Sequence, residues 1–178
     1  MIKVIDINDK CENANISIDD YIPFSIEYDS SYFTEIFYWR GGDGKLSLVE
    51  IGIIRQTGTF KSIVLTNINQ KDVIQYDKVI PINLFTIEGQ PICDLSKWNS
   101  TMNYSDTFID EFDLTIKLLV GLNFISLIFS NTFDIARYIQ NNNIRFGIAS
   151  DGSLITIDIL DLSENKIEIL RKYKFNKH

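Results

Sequence analysis

Residues 108–120 read Phe-Ile-Asp-Glu-Phe-Asp-Leu-Thr-Ile-Lys-Leu-Leu-Val, and their apolar side chains recur with a period of two. Every second residue from the first phenylalanine to the last valine is apolar apart from Asp110, whereas the interleaved positions are largely polar. Side chains alternate between the two faces of a β-strand, so the pattern predicts one long strand with a single buried face. A helix would bring Asp113 and Lys117 among the core residues, which argues against it.

Turn signals divide much of the remaining chain into hairpins. Short polar segments, several of them rich in Gly, Ser, Thr or Asp, separate runs of apolar and β-branched residues. Connections this short force neighbouring strands to be antiparallel. The predicted strand pairs are residues 32–40 with 46–55, 46–55 with 60–68, 112–120 with 125–129, 144–149 with 154–159, and 154–160 with 167–170.

The whole chain, residues 1–178, is expected to form one mainly β domain. Many strands at regular spacing predict an antiparallel sheet that forms a barrel, a half-barrel or a sandwich. The chain contains 31 isoleucines and three alanines, a composition that favours strands over helices. One or two short helices are expected, at residues 70–78 with Asn69 as the N-cap and at residues 132–140.

The composition offers little material for catalysis. The single histidine is His178, the last residue, and the two cysteines, Cys11 and Cys93, are far apart in sequence. There is no glycine-rich phosphate loop and no run of metal ligands with the usual spacing. We therefore expect a protein that is not an enzyme and needs no cofactor or metal. Its apolar stretches are shorter than the ~20 residues of a membrane helix, and the N-terminus does not resemble a signal peptide, so we expect a cytoplasmic protein.

The acidic side chains are unevenly distributed and predict where a partner would bind. The net charge is −7, the first 29 residues carry seven acidic and two basic side chains, and residues 106–113 carry four acidic side chains and no basic one. An anionic surface steers basic protein partners and disfavours direct binding of nucleic acid. Residues 92–106 form a long segment without a clear period that could supply aromatic contacts. The predicted partner-binding residues are Asp106, Glu111, Asp113, Trp98, Tyr104, Asp19 and Asp20.

Each of these residues also has a simpler interpretation. The carboxylates can belong to a solvated polar face, because unpaired charges are costly to bury. The aromatic side chains of residues 92–106 can fold back over the sheet as a lid. Under this interpretation neither group would bind a partner.

The end of the chain resembles a known class of protein. Residues 143–159 read Asn-Ile-Arg-Phe-Gly-Ile-Ala-Ser-Asp-Gly-Ser-Leu-Ile-Thr-Ile-Asp-Ile, a strand-turn-strand ending. This ending, on a small, acidic, isoleucine-rich β protein, resembles the immunity proteins of bacterial contact-dependent growth inhibition and related polymorphic toxin systems. The resemblance implies a protein that binds and neutralises a cognate basic toxin domain of the nuclease class. It carries over no individual binding residue.

Two other functions compete with this one. A β-barrel can hold a small apolar ligand in its mouth, and twelve Phe, eight Tyr and two Trp could line such a cavity or simply fill a core. An enzyme that uses paired carboxylates would need a cleft containing strongly perturbed acids. An empty apolar cavity would favour the ligand-binding protein, and an acidic face with exposed aromatic side chains would favour the toxin-binding protein.

Overall fold

The fold is described by a computed structural model, which covers residues 1–29, 35–77, 85–98, 107–130 and 134–173. Within these ranges the chain forms fifteen β-strands, one α-helix and one 3₁₀ helix. The strands are β1 (Val4–Asn8), β2 (Ala14–Ser17), β3 (Phe24–Tyr28), β4 (Ile36–Gly42), β5 (Leu48–Ile54), β6 (Phe60–Asn67), β7 (Val73–Gln75), β8 (Thr86–Glu88), β9 (Gln90–Cys93), β10 (Phe108–Glu111), β11 (Lys117–Val120), β12 (Ile125–Ile128), β13 (Arg137–Asn141), β14 (Ile144–Ile148) and β15 (Leu154–Ile159). The α-helix is α1 (Glu164–Lys172), and the 3₁₀ helix is Gln70–Asp72.

Two large sheets pack against each other in a sandwich-like arrangement. The six-stranded sheet has the order β10-β4-β5-β6-β3-β2, and the seven-stranded sheet has the order β7-β11-β12-β15-β14-β13-β8. Their inner faces meet through aromatic contacts: Trp39 packs edge-on against Phe129 with ring centroids 5.8 Å apart, and Phe60 lies 5.2 Å from Phe146. β1 and β9 form a separate two-stranded sheet. The expectation of a mainly β fold is confirmed, and none of the sheets built from the described strands closes into a barrel.

Four of the five predicted strand pairs are present. β4 pairs with β5, β5 with β6, β11 with β12 and β14 with β15, all antiparallel. The sheets are nevertheless mixed, because β10 runs parallel to β4, β7 parallel to β11, and β8 parallel to β13. Each parallel pair lies at an outer edge of its sheet. Turn signals between neighbouring segments cannot reveal these pairs, because their two strands are distant in sequence.

The prediction of one long strand over residues 108–120 is wrong. β10 belongs to the six-stranded sheet and β11 to the seven-stranded sheet, so this stretch passes from one sheet to the other. Between the two strands the backbone N–H of Leu114 donates to the carbonyl of Gly42 at 3.2 Å. The period of two survives the crossing in part, because both sheets face the same core: Leu118 and Val120 are buried, whereas Phe112 is exposed.

The helix predictions are also corrected. Asn69 caps a helical turn as expected, accepting a hydrogen bond from Lys71 N at 3.2 Å, but the turn is a short 3₁₀ helix that leads into β7. The helix expected at residues 132–140 falls partly outside the described residues, and its second half is β13. Residues 167–170, predicted to pair with β15, lie within α1. Ile167 and Leu170 are three residues apart and both buried, a spacing that places them on one face of a helix.

α1 makes hydrogen bonds to both large sheets of the sandwich. Lys166 Nζ donates to the carbonyl of Ile16 at 3.3 Å, beside the six-stranded sheet, and Arg171 Nη2 lies 3.5 Å from the carbonyl of Gly121 at the β11–β12 turn. The helix therefore contacts strand β2 of one large sheet and the β11–β12 turn of the other. In the part of the chain that the structure describes, no helix is long and apolar enough to cross a membrane.

Candidate functional site

The carboxylate of Glu111 is partly buried and forms ion pairs with two cations. Its carboxylate accepts hydrogen bonds from the amino group of Met1 and from Lys97 Nζ, the latter at 3.0 Å. Burial alone would raise the pKa of Glu111, but the two hydrogen bonds and the two positive charges outweigh it and lower the pKa. Glu111 is therefore an ionised, partly buried carboxylate whose charge is already paired, a position that does not suit its predicted role as a partner contact.

Trp98 is folded back onto the sheet. Its side chain is 7% exposed, its ring stacks on Phe37 with centroids 5.4 Å apart, and its indole N–H donates to the carbonyl of Thr107 at 3.2 Å. This geometry matches the lid interpretation and not the partner-contact interpretation. Asp106 and Tyr104 lie outside the described residues.

Asp19 and Asp20 lie in a loop that also presents an aromatic side chain. The loop comprises residues 19–22, Asp-Asp-Tyr-Ile, and joins β2 to β3 at one edge of the six-stranded sheet. Both aspartates are exposed. Tyr21, which follows them directly, is 91% exposed. A large, exposed aromatic ring beside two carboxylates is an arrangement that suits contact with a basic protein.

Hydrogen bonds hold this 19–22 loop in one conformation. The Asp19 carboxylate accepts from the backbone N–H groups of Tyr21 and Ile22, both at 2.7 Å, and these bonds lower the pKa of Asp19. The hydroxyl of Tyr173, just after α1, donates to the Asp19 carbonyl at 2.7 Å. Burial, with the nearby charges of Asp19 and Asp20, raises the pKa of Tyr173 to about 12, so this hydroxyl keeps its proton near neutral pH.

Asp113 lies at the opposite edge of the same sheet. It is exposed and follows Phe112, which is 42% exposed and whose ring lies against Gly44 in the β4–β5 turn. The neighbouring Arg40 forms a two-point ion pair with Asp110, at 2.7 and 2.9 Å. β10 and β2 are the two edge strands of this sheet and are separated by five strand-to-strand spacings. At about 4.8 Å for each spacing, the two edges lie roughly 24 Å apart. Asp113 therefore lies on a different surface from Asp19 and Asp20.

A second candidate site lies on the outer face of the seven-stranded sheet. Arg145 on β14 and Asp158 on β15 project from this face, yet each is 2% exposed. Arg145 Nε donates to Asp158 Oδ2 at 3.0 Å, and the Ser126 hydroxyl donates to Asp158 Oδ1 at 2.6 Å. The Arg145 guanidinium also lies over the Tyr138 ring, 4.1 Å from its centroid. Burial raises the pKa of Asp158, while Ser126 and Arg145 act in the opposite direction. Because arginine stays charged, the two groups form an ion pair near neutral pH.

A cavity of about 450 Å³ lies against this ion pair. Ser126, Tyr138, Thr156, Asp158 and Lys117 supply its polar lining. Its remaining lining is formed by Ile74, Tyr76, Leu119, Phe124, Ile128 and Ile135. The Thr156 hydroxyl is buried close enough to Asp158 to help lower its pKa, yet it has no well-formed hydrogen bond. A mostly apolar cavity of this size with a few convergent polar groups is the usual form of a small-molecule site.

Sequence reasoning missed this cavity. The alternation in β15 does place Thr156 and Asp158 together on one face, but a polar face normally indicates exposure to water. Both line the cavity together with Ile135 and Tyr138, which come from an earlier segment of the chain. Among the described residues, no three His, Cys, Asp or Glu side chains are grouped so that they could hold a metal ion. No protein-family model matches the sequence, and no curated protein is significantly similar to it.

Proposed function

We propose that this protein binds and neutralises a basic toxin domain of the nuclease class, as the immunity proteins of contact-dependent growth inhibition do, and that the 19–22 loop is the centre of its contact surface. The observation that carries the proposal is the exposed ring of Tyr21 next to the exposed carboxylates of Asp19 and Asp20, in a loop held by hydrogen bonds. The protein would act in the cytoplasm by occupying the toxin and not by catalysis.

The chemistry of the loop suits such a partner. A few buried aromatic and charged contacts usually supply most of the affinity of an interface, and tyrosine loses little conformational entropy when it binds. A loop that is already ordered avoids part of the entropic cost of association. Asp20 would pair with Lys or Arg in the cleft where the toxin holds phosphate, and the net charge of −7 would speed the encounter.

The proposed interface differs from the one expected from the sequence. Tyr21 takes the role assigned to Trp98, because Trp98 is buried against Phe37. Glu111 has no part in it, because its carboxylate already binds Lys97 and the amino group of Met1. Asp113 and Phe112 form a second exposed surface, which would contribute only if the toxin spans the six-stranded sheet.

The test is co-expression with the toxin domain encoded beside this gene. The wild-type protein should restore growth and form a complex with Kd in the nanomolar range or below, which corresponds to ~12 kcal/mol. Tyr21→Ala should weaken binding at least about tenfold, mainly through faster dissociation. Asp20→Lys should slow association and weaken its dependence on salt.

Two matched variants serve as controls. Phe85→Ala removes another exposed aromatic side chain, just before β8 of the other large sheet, and Glu88→Lys makes the same charge change on β8. Both should bind like the wild-type protein. If the cells are not rescued and no complex forms, the proposed function is wrong. If rescue occurs but Tyr21→Ala and Asp20→Lys bind normally, the function stands and the interface lies elsewhere.

A further inference from the structure

The cavity on the outer face of the seven-stranded sheet is built differently at its two ends. One end presents Ser126, Thr156 and Asp158 from the paired strands β12 and β15, and the rest presents Lys117 together with mainly aliphatic and aromatic side chains. The site is independent of the 19–22 loop, which belongs to the other large sheet. A ligand that matches the cavity must therefore carry one small polar group on an apolar body.

The hydroxyl of Thr156 is the polar atom that a ligand can satisfy. It is 2% exposed and lines the cavity without a well-formed hydrogen bond. A buried hydroxyl without a well-formed hydrogen bond is costly, and a ligand hydroxyl or amide in the cavity can reduce that cost by donating to it or accepting from it. Ser126 can only accept a hydrogen bond from a ligand, because its own hydrogen already goes to Asp158.

The buried charges of the site are already balanced. Arg145 Nη2 lies 2.9 Å from Asp158 Oδ2, and Arg145 Nε donates to the same oxygen. This pair offers a charged ligand head no free counter-charge, so such a head would lose its hydration without compensation unless it reached Lys117, which also lines the cavity. A neutral head can bind Thr156 without that loss.

We propose that this cavity binds a small neutral amphiphile, with a hydroxyl or amide group hydrogen-bonded to Thr156 and an apolar body packed against Leu119, Phe124 and Ile128. Gly147 helps to shape the polar end, because a Cβ at this position would lie 2.5 Å from Thr156 Oγ1 and 2.9 Å from Ile135 Cδ1. The volume of about 450 Å³ falls within the range of roughly 300–1,000 Å³ typical of small-molecule sites.

The first experiment uses N-phenyl-1-naphthylamine, a neutral fluorescent probe with an apolar body and one N–H group. The full-length wild-type protein should bind it saturably, with increased fluorescence. Three competitors of equal chain length then report on the head group: 1-octanol, octanoate and octylammonium. We expect 1-octanol to displace the probe at concentrations at least roughly tenfold lower than either ion, because its head needs no counter-charge. The proposal is overturned if the probe does not bind saturably, or if either ion displaces the probe better than 1-octanol does. Stronger displacement by octanoate would show that the cavity binds anions and would point to Lys117 as the recognising group.

Two variants locate the site. Ile74→Trp should lower probe affinity about tenfold by filling the cavity, and the substitution is tolerable because Ile74 lies on an edge strand and is 39% exposed. Ile5→Trp, at an exposed position of β1, is the matched control and should bind normally. Thr156→Val keeps the shape of the side chain and should reduce the affinity for 1-octanol roughly fivefold, the usual value of one neutral hydrogen bond. If Ile74→Trp and Thr156→Val both bind probe and alcohol like the wild-type protein, the ligand site is not this cavity.

Discussion

Arg145 and Asp158 are directly opposite each other on the neighbouring strands β14 and β15, and their side chains form an ion pair that is almost completely buried. The pair lies on the outer face of its sheet, the side away from the aromatic core of the sandwich. Neither charge can be removed alone without leaving its partner buried and unpaired. This pair therefore affects both the stability of the seven-stranded sheet and the polarity of the cavity beside it.

Breaking the ion pair should strongly destabilise the protein. In Asp158→Ala the charged guanidinium of Arg145 remains buried without its counter-ion, and such changes typically cost about 3–5 kcal/mol. The free energy of unfolding from urea titrations at pH 7 measures the cost. The double variant Arg145→Met/Asp158→Leu should recover most of it, because apolar side chains need no partner. If the double variant is as unstable as Asp158→Ala, the lost stability comes from losing the ion pair itself and not from leaving the charge of Arg145 unpaired.

The hydroxyl of Tyr173 should control the order of the 19–22 loop. Tyr173→Phe removes the 2.7 Å hydrogen bond to the Asp19 carbonyl and leaves the rest of the side chain in place. We expect faster amide hydrogen exchange at Tyr21 and Ile22, with a loss of only about 1 kcal/mol in global stability. Lys166→Met, which removes a hydrogen bond from the same helix to Ile16 near the end of β2, is the comparison. If exchange in the loop is unchanged in Tyr173→Phe, the loop is ordered by its own hydrogen bonds alone.

A side chain at position 147 should destabilise the protein while Thr156 is present. An added Cβ would lie 2.5 Å from Thr156 Oγ1 and 3.2 Å from the Tyr138 ring, so Gly147→Ala should cost roughly 1–3 kcal/mol from overpacking. Thr156→Ala removes the closest atom. The double variant Gly147→Ala/Thr156→Ala should therefore be less unstable than the sum of the two single variants, as measured by thermal unfolding. Additive costs would show that the overpacking comes from Ile135 and Tyr138, which lie 2.9 and 3.2 Å from the added Cβ, and not from Thr156.

Local signals predicted much of the sheet structure. The β14–β15 hairpin follows from residues 144–159 alone, because a turn of Ser, Asp and Gly separates two runs of mainly apolar residues. The break within residues 108–120 could not be predicted in the same way. Strands in either sheet of a sandwich bury the same alternate positions, so the period is the same whether the chain stays in one sheet or crosses to the other. The mistaken strand at residues 167–170 has a similar cause, because a short apolar run fits both helix and strand.

The candidate sites, like the sheets, could be predicted only where a local sequence pattern is enough. Charge density indicated Asp19 and Asp20, which lie in an exposed loop, because the distribution of charged residues can be read without knowing the fold. The burial of Trp98 depends on Phe37, which is distant in sequence, and the pairing of Glu111 depends on Lys97 and Met1. The cavity requires four strands to be assembled before Ser126, Tyr138 and Asp158 come together. No pattern within a single segment carries that information.

Glu111 should contribute stability that is lost in acid. Its folded-state pKa lies below the ordinary value of 4.5, because hydrogen bonds from Lys97 and the amino group of Met1 outweigh the effect of burial. The carboxylate therefore binds fewer protons in the folded state than in the unfolded state around that pH. Its contribution is complete above about pH 4.5 and disappears as the pH falls through the folded pKa.

The measurement compares wild type with Glu111→Gln in urea titrations from pH 7 to pH 3. At pH 7 the variant should be less stable by about 1 kcal/mol, a modest value because the pair is only partly buried. This difference should shrink as the pH falls, since a protonated Glu111 and the glutamine that replaces it in the variant make similar interactions. Asp151→Asn is the comparison, because hydrogen bonds from Lys3 and Ser153 lower the pKa of Asp151 to about 2. The stability difference between Asp151→Asn and wild type should therefore partly persist at pH 3. If the stability difference between Glu111→Gln and wild type stays constant from pH 7 to pH 3, the proposed pairing of Glu111 is contradicted.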